Sequence, residues 1–151
     1  MNKTSLKKYM EHKSNSKQLL KSNCFNYEDK FLISDSYSII VLNNNYDLDV
    51  SDDTYGLVRL LDGFNNGYEF NENYVKSDER IEKNRGKLFD KFNKDFSIQI
   101  SLFERVRKVI KANKFTILKK KNGFNYYSDY AIKLENTKSG EYAYMLPART
   151  F

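Results

Sequence analysis

Basic side chains recur at helical spacing near both ends of this chain. Arg105, Lys108 and Lys111 are three residues apart, and Arg107 and Lys111 are four apart. On a helix both sets project away from the apolar stripe Leu102, Phe103, Val106, Val109 and Ile110. Lys114 and Lys119-Lys120-Lys121 extend the charge, and Lys7, Lys8, Lys13, Lys17 and Lys21 form a similar series near the N-terminus. Contact with phosphate needs only charge and reach, so such faces give salt-sensitive, sequence-independent binding of nucleic acid. A solvated surface or an acidic protein partner is the other use of the same pattern.

The residues that could run catalysis are sparse. His12 is the single histidine and sits beside Glu11 in a Lys-rich stretch. It can be a general base in principle, but nothing in the sequence positions it, and it reads as a surface residue. Cys24 opens a strand pattern with no base nearby and reads as a small buried hydrophobe. One Cys and one His cannot assemble a zinc site or an intramolecular disulfide. Asp47, Asp49, Asp52 and Asp53 lack the register of a calcium loop and read as helix capping and solvation. Gly63 and Gly67 are followed by no Walker lysine. The sequence therefore predicts a protein that is not an enzyme and holds no cofactor and no metal. Tyr126, Tyr127, Tyr130, Tyr142 and Tyr144 could stack bases, but their alternation fits packing on a sheet better.

The 151 residues suit one domain with a real core, and 12 Tyr and 11 Phe against a single Pro favour strands over disorder. The net charge of +6 is unevenly spread: residues 1–25 carry net +5, residues 26–100 net −6 and residues 101–151 net +7. Two basic ends thus flank an acidic middle, and they make one positive face if they fold together. No charged-then-apolar leader opens the chain, and its longest apolar run, Ile39 to Leu42, cannot span a bilayer. The reading is a soluble protein of a reducing cytoplasm, with no membrane partner.

These side chains need elements to hold them. A helix from Thr4 to about Leu20 is predicted, followed by strands Cys24–Tyr27, Lys30–Ser34 and Tyr37–Leu42. Ser51-Asp52-Asp53 starts a helix with the stripe Tyr55, Val58 and Leu61, stopped by Gly63. Tyr68 to Val75 reads as a strand. Ile81, Leu88, Phe89 and Phe92 give the charged segment Ser77–Lys94 one helical face, interrupted by Gly86. Phe96, Ile98 and Ile100 alternate as a strand. Ser101 and Glu104 form a capping box for the helix carrying Arg105, and Asn113 ends that helix in a left-handed conformation. Strand Lys114–Lys119, the hairpin signal Asn122-Gly123, a long strand ending at Leu134, the turn Ser139-Gly140 and a last strand through Leu146 complete the chain.

The predicted fold is α+β, with mostly antiparallel sheets and helices on one face, in a single domain. Residues 1–75 form a first unit with an insertion, 76–95 a charged crossover, and 96–151 a second unit of strand, helix and three strands. This pattern resembles one domain of a bacterial or phage DNA sliding clamp. Ser34-Asp35-Ser36-Tyr37-Ser38-Ile39 resembles the family's Thr-Asp-Gly-Tyr-Arg-Leu segment, and Leu146-Pro147-Ala148-Arg149 its C-terminal Met-Pro-Met-Arg. Ser36 and Ser38 replace the family's Gly and Arg, and the chain has material for one domain where a bacterial clamp has three. The resemblance implies helices lining a DNA-facing surface. It also implies that Met145, Leu146, Pro147, Ala148 and Arg149 contribute to a pocket for partner peptides.

Two functions are expected from these features. One is a non-catalytic phage or mobile-element protein that acts on nucleic acid or a nucleoprotein complex. Its concrete form is an anti-CRISPR-like inhibitor of a host defence effector, working in the host-cell cytoplasm. The alternative is a reduced, clamp-like replication accessory factor that assembles as a homo-oligomer around DNA.

Overall fold

The computed structural model describes residues 3–11, 24–35, 37–44, 56–123 and 128–149. Among them are three α-helices: α1 (Lys3–Glu11), α2 (Leu57–Asn66) and α3 (Ile100–Ile110). A 3-10 turn covers Asp78–Arg80. The strands are β1 (Cys24–Tyr27), β2 (Lys30–Ser34), β3 (Ser38–Leu42), β4 (Tyr68–Asn73), β5 (Ile81–Asn84), β6 (Lys87–Asp90), β7 (Phe96–Gln99), β8 (Lys114–Lys120), β9 (Tyr130–Glu135), β10 (Tyr142–Met145) and β11 (Ala148–Arg149). The fold is α+β, and every described pairing is antiparallel.

A seven-stranded sheet runs β1-β2-β3-β10-β9-β8-β4, and a four-stranded sheet runs β11-β7-β6-β5. The large sheet has an internal symmetry of connection. One meander, β1-β2-β3, follows α1, and another, β8-β9-β10, follows α3. The two join through their third strands, with Tyr142 opposite Val41 and Tyr144 opposite Ile39. The predicted strands of the first meander coincide with β1 and β2 and differ by one residue at the start of β3.

Both faces of the large sheet are covered. Phe31, Ile33, Ile40, Leu42, Ile132 and Ala143 pack with Leu6 and Tyr9 of α1 and with the apolar stripe of α3. The opposite parity, Leu32, Ile39, Val41, Ala131 and Tyr144, packs with Leu57, Leu61 and Phe64 of α2. The expectation of helices on one face therefore holds for α1 and α3 and needs correction for α2. The unbroken apolar runs Phe31-Leu32-Ile33 and Ile39 to Leu42 already suit strands buried on both sides.

Gly63 does not stop α2, which continues to Asn66. An interior glycine costs roughly 1 kcal/mol relative to alanine. The next residue, Phe64, is buried and stacks on Tyr144 with centroids 5.0 Å apart, which more than offsets that cost. At the other end of the fold, the C-terminus of α3 is capped from outside the helix. Asn136 Nδ2 donates to the Ile110 carbonyl at 2.9 Å, while its Oδ1 accepts from the Lys138 and Ser139 amides. Lys111, not Asn113, takes the left-handed conformation there, with φ 50°. Asn113 instead exchanges hydrogen bonds with Thr137 in the connection between β9 and β10.

Buried phenols give this core a pH limit. Burial, with Asp129 adding to it, pushes Tyr68 up to about 12. Burial first, then the hydrogen bond to Asp90, raises Tyr74, and burial raises Tyr144. In the unfolded chain such phenols ionise near pH 10. Their contribution is thus complete below about pH 10 and is lost as pH rises through the folded values. Denaturant unfolding between pH 8 and 12 should show stability that is flat with respect to these groups up to about 10. Beyond that it should fall by up to about 1.4 kcal/mol per pH unit for each phenol.

Candidate nucleic-acid interface

The site begins with the wheel of α3. Successive residues turn by about 100°, so Arg105 lies only about 40° from Val109, at the margin of the buried stripe. Lys108 and Ser101 fall further round on the same side. Arg105 therefore reaches sideways toward α1 instead of outward, and its side chain is 10% exposed. One Nη2 hydrogen bond goes to Asp35 Oδ2, and the guanidinium carbon sits 5.0 Å from the centre of the Tyr9 ring.

Asp35 is held for this contact by its own turn. Its Oδ1 accepts from the amides of Tyr37 and Ser38 at 2.8 Å each and from the Ser38 hydroxyl at 2.9 Å. Ser38 Oγ also lies 2.9 Å from the Tyr9 hydroxyl. A hydrogen-bonded chain thus ties α1, the β2–β3 turn and α3 into one joint. The two helices pack side by side, and the basic ends of the chain come together.

Between them lies a cleft of about 410 Å³ lined by Ser5 and Lys8 of α1 and by Ser101, Glu104, Arg105 and Lys108 of α3. Lys8 and Lys108 are exposed. Glu104 is the acidic member. Hydrogen bonds from Arg107, at 3.0 and 2.5 Å to Oε2, hold its carboxyl below the usual carboxylate range against an opposing push from burial. Glu104 does not serve as a capping-box partner: α3 starts at Ile100, its N-cap is Gln99, and no side chain caps it. Ser101 lies inside the first turn and accepts from Gln99 Nε2 at 3.0 Å.

The remaining basic residues do not all belong to this cleft. Lys7 is exposed on α1, and Lys111 is exposed at the end of α3. Lys114 faces Glu135 at 3.9 Å, and Lys120 faces Asp129 at 3.2 Å. These two pairs sit at opposite ends of the β8–β9 ladder, about 20 Å apart at 3.3 Å per residue. Lys119, Lys120 and Lys121 line a second cleft with Asp95, Phe96, Asp129 and Tyr130. Lys13, Lys17 and Lys21 lie outside the described residues, as do His12, the acidic run Asp47 to Asp53, Tyr126 and Tyr127. Cys24 lies in β1, with its side chain outside the description.

The tail residues join the two sheets. Met145 is buried in the core, and the Leu146 amide donates to the Tyr37 carbonyl at 2.9 Å. Past Pro147 the chain enters the small sheet, with Ala148 opposite Ser97 and Arg149 opposite Phe96. The Arg149 guanidinium lies over the Phe96 ring at 5.7 Å. Of the five tail residues Arg149 is the exposed one, and Leu146, Pro147 and Ala148 are half-buried.

No protein-family model, curated protein or solved structure matches this chain. Among the described residues no group of three His, Cys, Asp or Glu side chains is placed to hold a metal ion, and no helix is long and apolar enough to cross a membrane. The sequence reading singled out Arg105, Lys8 and Lys108 but not the partners that hold Arg105, Asp35 and Tyr9. Asp35 followed three residues on by Ser38 is an Asx-turn signal, and Ser5, Lys8 and Tyr9 share one side of α1.

Proposed function

We propose that this protein is a non-catalytic binding module whose α1–α3 face docks on the phosphate backbone of nucleic acid within a nucleic-acid-handling complex. The observation that carries the reading is the side-by-side packing of α1 and α3, which sets Lys8 and Lys108 on one cleft. Two lysines carried by packed helices bring two ammonium charges to one face, which suits sequence-independent phosphate contact. In its concrete form the module is a phage or mobile-element inhibitor of a host defence effector, acting in the host cytoplasm by covering that effector's nucleic acid or its binding surface.

The test is equilibrium binding to short DNA and RNA across a salt series. Removing both charges, Lys8→Gln with Lys108→Gln, should lower the slope of log K against log salt by about two. An unchanged slope would take this face out of the contact. Arg105 is a poor probe for the purpose, because its removal also dismantles the joint with Asp35.

A second reading, a clamp-like replication accessory factor, is favoured by one feature: two helix-plus-meander units joined through β3 and β10. It requires a stable ring of several copies. A strict monomer in sedimentation at working concentration would end it.

A further inference from the structure

The acidic middle of the chain has an outer surface of its own at β4. This strand closes one end of the large sheet, with β8 on one side and no strand on the other among the described residues. All five residues from Glu69 to Asn73 are exposed, and Phe70 keeps 65% of its surface in solvent. The Lys121 amide donates to the Gly67 carbonyl at 2.9 Å, and the Tyr74 amide to the Phe115 carbonyl at 3.0 Å. In an antiparallel ladder such inward-bonded residues alternate with ones whose N–H and C=O point away from the partner strand. Phe70 and Asn73 are of the second kind. The ladder bulges between Phe70 and Glu72, and this sets the side chains. Glu69 lies opposite Lys119 before the bulge and Glu72 opposite Ile117 after it, so both glutamates fall on the sheet face that carries α3. Phe70 lies opposite Leu118 on the other face, where α2 packs. Residues 67–75 hold these two acids and no base.

We propose that the free edge of β4 docks an extended segment of a partner protein in which a basic, an apolar and a basic residue follow one another. Such a segment extends the sheet through main-chain bonds to Phe70 and Asn73, and its alternating side chains supply the specificity. Its two cations meet Glu69 and Glu72 on one face, and its apolar residue lies against Phe70 and Leu118 on the other. A second copy of this chain is a poor occupant, because two acidic edges repel each other. The edge is separate from the α1–α3 cleft and does not depend on what the cleft binds.

The test titrates the full chain with three short capped peptides. One alternates lysine and valine, one has the same composition with its lysines in a single block, and one alternates glutamate and valine. Binding is followed by nitrogen-15 NMR, and hydrogen exchange of the Phe70 and Asn73 amides reports strand addition. The alternating lysine peptide is expected to bind saturably, to slow exchange at both amides and to bind more tightly than the other two. Glu69→Lys with Glu72→Lys, both at exposed positions, should weaken it about tenfold and turn the preference toward the glutamate peptide. Equal binding of the single-block peptide, or binding that leaves the two amides unprotected, would mean charge attraction alone and overturn the proposal. Self-association of the wild-type chain that slows the same amides without peptide would give the edge to a second copy and overturn the stated partner. No saturable binding of the alternating lysine peptide overturns it as well.

Discussion

Replacing Asp90 by alanine is expected to lower stability by about 3 kcal/mol. The carboxylate is fully buried and accepts four hydrogen bonds: from Tyr74 at 2.6 Å, Arg80 Nε at 2.9 Å, Arg80 Nη2 at 3.1 Å and the Ser77 amide at 3.4 Å. Together they fasten the crossover between the two units. Loss of the acceptor strands the Tyr74 hydroxyl in the core, and a buried polar group without a partner costs about 1–3 kcal/mol alone. Arg80 adds to this, but its side chain is 38% exposed and can turn to water, which keeps the total near the lower end for a broken buried pair. Thermal unfolding should shift down by roughly 6–12 °C. A Tyr74→Phe change in the same background should recover part of the loss, because it removes the stranded hydroxyl. A loss under about 1 kcal/mol would mean that other contacts hold the crossover.

The joint between Asp35 and Arg105 should show the second large effect, with a marked asymmetry. Asp35→Ala leaves a guanidinium in the core with no counter-charge and strips the Tyr37 and Ser38 amides of their acceptor. The expected loss is about 3–5 kcal/mol. Arg105→Met removes the cation and keeps an unbranched apolar side chain against Tyr9. It leaves Asp35 with its two amides and the Ser38 hydroxyl, so it should cost less. Adding Arg105→Met to Asp35→Ala should then restore stability relative to Asp35→Ala alone. Denaturant titration of the three variants measures this coupling, and amide exchange in α1 reports whether the helix loosens. Strictly additive losses would rule out the pairing as the source of the effect.

Much of the second unit is legible in the sequence because its patterns are long. The stripe from Leu102 to Ile110 is buried as its spacing predicts, and β8, β9 and β10 fall where alternation puts strands. The crossover was misleading for a physical reason. Ile81, Leu88, Phe89 and Phe92 match helical spacing, yet residues 81–90 form a hairpin, with Lys83 opposite Leu88 and Asn84 opposite Lys87. The decisive signal is Arg85-Gly86. Both take positive φ, 51° and 79°, as the two central residues of a tight hairpin turn do. The four-residue strands around it carry too few apolar side chains to show a period of two. Asp90 then satisfies a network with partners 10 and 16 residues away, which no local pattern records.

The cleft was half legible. Helical spacing finds Arg105 and Lys108 together and puts Lys8 on another basic helix. It cannot tell an outward arginine from one lying at the margin of the apolar stripe, because the distinction depends on what packs alongside. Here α1 packs there, and Asp35 arrives from a turn 70 residues earlier. The tail gave a similar result: β10 ends at Met145, one residue short of the predicted Leu146, and past Pro147 Ala148 and Arg149 pair with β7 as a two-residue strand too short to leave a pattern.

If nucleic acid meets the α1–α3 cleft, its binding depends on the lysines there and not on basic surface in general. Two variants of equal charge loss separate these: Lys8→Gln with Lys108→Gln in the cleft, and Lys119→Gln with Lys121→Gln at the far end of β8. Affinity for a short duplex and a single strand at about 0.1 M salt should fall more than tenfold in the first and less than twofold in the second. Equal losses in both, or a larger loss in the second, would contradict the assignment of the interface to the cleft.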